Sequence, residues 1–116
     1  MSGTVRIEGD TLVLELHGVD KILAFQSTVR IPLKHIVSVS TERVPWLKNE
    51  SKMPGTNIPG LVKDGHYSAS DGWVFYEMRN PDKCITLNLN DDEYKRVVFQ
   101  VEDKESSATL IRQVIA

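Results

Sequence analysis

The groups in this chain with the means to do chemistry are few: one thiol (Cys84), three imidazoles (His17, His35, His66), a glycine frame (Gly55 to Gly60) and an acidic run, Asp91-Asp92-Glu93. A nucleophilic cysteine needs a base within reach and a depressed thiol pKa. The near neighbours of Cys84 are Asp82 and Lys83, with no histidine in local register. Zinc sites place His and Cys at short fixed separations, and no histidine here lies three to five residues from another or from Cys84. Gly55-x-x-x-x-Gly60 has the spacing of a phosphate loop. However, Leu61 and Val62 stand where that loop needs Lys and a hydroxyl, and a strand pattern follows it instead of a helix. A calcium loop alternates its oxygen ligands around a glycine, which the stretch Asp91 to Glu93 lacks. These residues nominate no catalytic group, no metal site and no cofactor. The glycines read as a sharp re-entry into a sheet, the acids as a solvated turn, and the histidines as surface residues at strand ends and turns.

The elements that would position them are mostly strands. Side chains alternate between two faces in a strand, so a half-buried strand alternates apolar and polar residues. Val5 and Ile7 alternate before Gly9-Asp10, and Leu12, Leu14 and Leu16 after it, which predicts a hairpin over residues 4 to 17. Gly18 to Gln26 shows no alternation and reads as a short helix. Val29 and Ile31 run up to a corner at Pro32, and Ile36 to Glu42 forms the next strand. Residues 45 to 60 hold Pro45, Pro54, Gly55, Pro59 and Gly60, a density of breakers that predicts one long loop. Further strands are predicted over Leu61 to Ala69, Gly72 to Arg79, Lys83 to Leu89 and Tyr94 to Val101.

In the strand from Lys83, Ile85, Leu87 and Leu89 share a face, which puts Cys84 on the wet one. After residue 102 the period changes. Asp103 suits an N-cap, Glu105 a first turn, and Ala108, Ile111 and Ile115 recur at helical spacing, so a helix over 104 to 115 covers an open end or edge of the sheet. The fold class is therefore mainly β: a single domain, 1 to 116, of about seven to eight antiparallel strands in a barrel or sandwich, capped by one C-terminal α-helix.

Ile31-Pro32-Leu33-x-x-Ile36-x-x-Val39, Gly55-Thr56-x-Ile58-Pro59-Gly60, Gly65-x-Tyr67, Phe75 and Tyr94-x-Arg96-x-Val98-x-x-Val101-x-Asp103 together resemble small bacterial proteins with a pleckstrin-homology-like (PH-like) fold. The similarity spans almost the whole chain, and its most specific piece is the Gly-Thr-x-Ile-Pro-Gly stretch. The resemblance implies two roughly orthogonal antiparallel sheets with a capping helix, and no established activity. The stretch Val44 to Met53 departs from it.

Bulk properties narrow the function classes. The 116 residues carry 14 basic and 16 acidic side chains, a net charge of -2 without a basic stripe, which argues against nucleic acid. One cysteine allows no intrachain disulfide. The first ten residues lack the basic segment and apolar core of a signal peptide, so the expectation is a cytoplasmic protein. A lipid-headgroup module is the alternative function, but the turn between the first two strands holds Glu8, Gly9 and Asp10 with only Arg6, the wrong charge for an anionic membrane surface. A small enzyme whose site is invisible in sequence is the second alternative.

The favoured reading is a non-catalytic module that binds a protein or peptide, or associates with its own copy. Its contact candidates are Trp46, Thr56, Ile58, Tyr67 and Trp73, since Trp and Tyr concentrate at interface hot spots. Trp73, Phe75 and Tyr76 put aromatic rings on both faces of one strand. Something must cover each face, and the expectation is the core on one side and the C-terminal helix on the other.

Overall fold

The computed structural model describes residues 3–18, 28–45, 51–58, 62–69 and 72–115, and for residues 51–58, 62 and 69 the backbone alone. Among the described residues there are nine strands: β1 (Thr4–Glu8), β2 (Thr11–Glu15), β3 (Thr28–Pro32), β4 (Ile36–Ser40), β5 (Ser51–Ile58), β6 (Val62–Ala69), β7 (Gly72–Met78), β8 (Cys84–Leu89) and β9 (Tyr94–Gln100). One helix, α1 (Lys104–Ile115), follows them. Short 3-10 turns at Leu33–His35 and Pro81–Lys83 lead into β4 and β8. The short helix expected over Gly18 to Gln26 lies outside the described residues beyond Gly18.

The strands form two sheets, of order β1-β2-β3 and β4-β8-β9-β7-β6-β5. They face each other across one core and do not close into a barrel, so the sandwich half of the expectation holds. Leu12, Leu14 and Leu16 share that interior with Val29, Ile31, Phe75, Ile85, Leu87 and Phe99. Each such side chain, fully buried, contributes about 1.5–3 kcal/mol relative to exposure. On the outer face of the small sheet, Val13 is buried between its register partners Arg6 and Arg30. Long arginine stems cover apolar surface while their guanidinium groups stay wet. Glu8 accepts from both arginines and Glu15 from Arg6.

Three expectations about the strands are corrected. The segment 45 to 60 is not one loop, because β5 occupies Ser51–Ile58. Among the described residues it pairs with β6 alone, and its register slips between Lys52 and Gly55, around Pro54. At a sheet edge a missing N–H breaks no ladder bond, so a proline is tolerated there. The strand from Ile36 stops at Ser40. The sheet is also not purely antiparallel: β9 lies between β8, to which it is antiparallel, and β7, to which it is parallel. That position buries both of its faces, and Val97, Val98, Phe99 and Gln100 are buried in succession.

The parallel ladder of β7 and β9 ends at Glu77 and Phe99. Beyond it the backbone groups of the diverging chains are held by side chains. The Gln100 N–H donates to Glu77 Oε1 at 3.1 Å, while Gln100 Oε1 accepts from the N–H groups of Arg79 and Asn80 at 2.7 and 2.8 Å. The Gln100 carbonyl accepts from Gly3 N at 3.0 Å, tying the start of the small sheet to the large one. A Cβ on Gly3 would lie 2.1 Å from the Phe99 ring and 2.8 Å from the Glu15 carbonyl, so only glycine fits this approach.

Helix α1 starts as its sequence predicts. Asp103 Oδ1 accepts from Ser106 N at 3.1 Å, and Oδ2 from Ser106 Oγ at 3.0 Å. Ala108 and Ile111 enter the shared core. Arg112 Nη2 donates to the Val39 carbonyl at 2.9 Å, so a side chain of the helix satisfies a backbone acceptor of the edge strand β4. It packs on β4, β8 and the Leu33–His35 turn, on the shared-core side of the large sheet. The other aromatic face is therefore not under the helix. It carries a second apolar cluster of Val44, Tyr67, Val74, Tyr76, Met78, Cys84 and Val98.

Replacing Gln100 by Leu removes the acceptor for two backbone N–H groups. Urea unfolding should show a loss of about 1–3 kcal/mol, and an unchanged midpoint would mean that water replaces the side chain there.

Candidate functional site

The large sheet separates the groups that could do chemistry. Cys84 pairs with Gln100 and points into the second cluster, fully buried, where its Sγ lies 3.5 Å from the Asn80 carbonyl it donates to. This corrects the wet-face expectation, which assumed that only one face of the sheet is covered. Burial, reinforced by the negative charge of Glu77, pushes the thiol up to about 12. A thiol held protonated in an apolar cluster is neither a nucleophile nor a metal ligand at neutral pH. His66 lies on the opposite face, across from Phe75, so Cys84 and His66 do not converge.

Around His66 the structure assembles what sequence spacing could not show. Its ring lies 5.5 Å from Phe75 in an edge contact and 5.4 Å from Tyr94, and the rings of Phe75 and Tyr94 are 5.8 Å apart. The Tyr94 hydroxyl and His66 Nδ1 share a hydrogen bond of 2.8 Å. Burial raises the Tyr94 hydroxyl well above its ordinary range, with the charges of Glu93 and Asp92 adding to it. Burial lowers His66, against an opposing pull from Glu93. Both groups are therefore neutral at neutral pH.

Tyr94 is also fixed through its backbone. Its N–H donates to Asp92 Oδ1 at 3.2 Å, and Asp92 Oδ2 meets His35 Nδ1 at 2.9 Å. Asn90 N donates to the His35 carbonyl at 2.8 Å. The turn from Asn90 to Glu93 is thus pinned to the Leu33–His35 turn at two points. Asp91 sits in that turn at φ 58°, a left-handed conformation that Asp and Asn adopt more readily than most residues. These partners stand 28 and 57 residues apart in the chain, so no local motif could have announced them.

Beside this pinned turn, at the start of β7, Trp73 is 43% exposed. Trp73, Gly72, Lys95 and the turn residues enclose a concavity of about 190 Å³. That is below the roughly 300–1,000 Å³ of small-molecule sites. Of the contact candidates, Trp73 alone is seen on the surface. Tyr67 is buried in the second cluster with its ring 5.3 Å from Tyr76, which removes it from any exposed patch. Thr56 and Ile58 belong to β5, an edge strand described by its backbone, and Trp46 lies outside the described residues. Among the described residues no group of three or more His, Cys, Asp or Glu side chains could hold a metal ion.

Two measurements check these environments. Native Cys84 should resist iodoacetamide at pH 8 and react only at the rate at which the protein opens, and rapid labelling would place the thiol on the surface. Three groups, His66, Glu8 and Asp103, have folded pKa values below their ordinary values of 6.5, 4.5 and 3.8. The unfolded chain then binds more protons, so stability falls on acidification, through His66 below about pH 6.5 and through the two carboxylates below about pH 4.5. A His66→Gln variant should lose the first step of the melting-temperature profile and keep the second.

No family model matches the chain, and neither a curated protein nor a solved structure matches it.

Proposed function

We propose that the chain is a PH-like, non-catalytic module that holds a protein or peptide segment, or a second copy of itself, against the surface around Trp73. The observation that carries this reading is Trp73 itself: a large aromatic side chain, 43% exposed on a strand of a two-sheet scaffold, beside a hollow of side-chain size. Tryptophan presents much apolar area with little side-chain freedom to lose, and so favours binding surfaces. The supporting turn is fixed by Asp92 and His35, so the surface needs little ordering before contact. The PH-like assignment rests on the facing sheets and the C-terminal helix, while the parallel β7–β9 pair is a departure from the two antiparallel sheets that the resemblance implies.

Other readings have less support. Cys84 and His66 lie on opposite faces of one sheet, which argues against an enzyme built on the pair. At the β1–β2 turn, Arg6 and Arg30 are matched by Glu8 and Glu15, which leaves little net positive charge for an anionic headgroup. No helix among the described residues is long and apolar enough to cross a membrane.

Chemical crosslinking and sedimentation velocity, run on the full chain and on Trp73→Ala, test this function. The variant should lose at least roughly tenfold in binding or self-association while its stability changes by no more than about 1 kcal/mol. Equal behaviour of the two proteins, or clear sedimentation of either with anionic phosphatidylserine vesicles, would overturn it.

A further inference from the structure

The hollow beside Trp73 has a chemical bias that narrows what enters it. Three carboxylates line it, from Asp91, Asp92 and Glu93, against the single ammonium of Lys95. Asp92 is committed to His35. Asp91 and Glu93 are exposed, and neither forms an ion pair among the described residues. The charge of Glu93 reaches inward far enough to act on both His66 and Tyr94. An indole face attracts a cation through its quadrupole, and carboxylates beside it add attraction of the same sign. A neutral or acidic side chain would lose the second contribution or be repelled.

We infer that this hollow receives the Lys or Arg side chain of a peptide segment, with Trp73 against the cation and Asp91 and Glu93 supplying its counter-charge. The inference rests on the reading of Trp73 as a contact residue and adds the chemistry of the partner. Lys95 works against the incoming cation, so its removal should help. The turn holds its shape without the Asp91 charge, because Asn is at home in the same left-handed conformation.

The test is selection of a phage-displayed random dodecapeptide library on the full chain, followed by affinity measurements on the synthesised peptides. Recovered peptides should share a Lys or Arg whose replacement by Gln weakens binding roughly tenfold. A doubly neutralised variant, Asp91→Asn with Glu93→Gln, should bind more weakly and with a shallower salt dependence, whereas Lys95→Gln should bind more tightly. A side chain that only supports the fold would not produce that gain. Peptides that depend on Trp73 but carry no basic residue, or ignore the neutralised variant, overturn the charge inference and leave the binding reading standing. Recovery of no peptide overturns the charge inference, and recovery only of peptides indifferent to Trp73→Ala overturns the reading of Trp73 as a contact residue as well. Melting temperatures of all variants near that of the parent keep the comparison one of binding.

Discussion

The placement of β9 constrains most of the molecule. A strand inserted between β7 and β8 must satisfy its backbone on both sides and cover both faces, and it joins a parallel to an antiparallel ladder. Parallel neighbours need a return connection between them; here β8 is that return, so the compact chain from Gly72 to Gln100 suffices. Strands two places apart stand about 10 Å apart, and the segment from Arg79 to the Pro81–Lys83 turn crosses that gap. Where it leaves β7, its N–H groups would face no partner strand. Gln100 and Glu77 supply the missing acceptors, and the Gln100 carbonyl anchors Gly3. One buried amide thus joins the exit of the parallel pair to the start of the smaller sheet.

A central sheet covered on both sides has a chemical consequence. The shared core lies on one face and the cluster around Tyr67, Tyr76 and Cys84 on the other. Against the second cluster Lys63 Nζ lies 4.0 Å from the Tyr76 ring centroid and 4.8 Å from that of Tyr67, so the end of this buried lysine is placed over aromatic faces. The same division keeps the one thiol away from the one imidazole that is packed among rings. Polar groups at the sheet's rim hold turns in place: His35, Asp92, Asn90 and Tyr94 fix the surface on which Trp73 stands.

The neutral pair of His66 and Tyr94 belongs to this support. Their hydrogen bond satisfies two polar groups at the margin of the core, where burial disfavours a charge on either. Phe75, 5.5 Å from the His66 ring and 5.8 Å from that of Tyr94, packs against both from within the shared core. The left-handed φ of Asp91 is held in a turn pinned to the Leu33–His35 turn on either side of it.

Local pattern determined a good deal. The alternation of Leu12, Leu14 and Leu16 places them in one interior, and the change of period near residue 103 yields a helix over Lys104–Ile115 capped by Asp103. Both rest on contacts within a few residues, which spacing records. Pairing order does not. Nothing local distinguishes a strand that joins a parallel neighbour from one that joins an antiparallel neighbour, so β9 read as one more antiparallel strand. Cys84 read as wet because alternation reports that two faces differ, and cannot report that a second cluster covers the other. Pro54 and Gly55 read as loop because breakers exclude a central strand, while an edge such as β5 admits them. The rim of His66, Tyr94, Asp92 and His35 is assembled across long stretches of chain, and long-range hydrogen bonds leave no period behind.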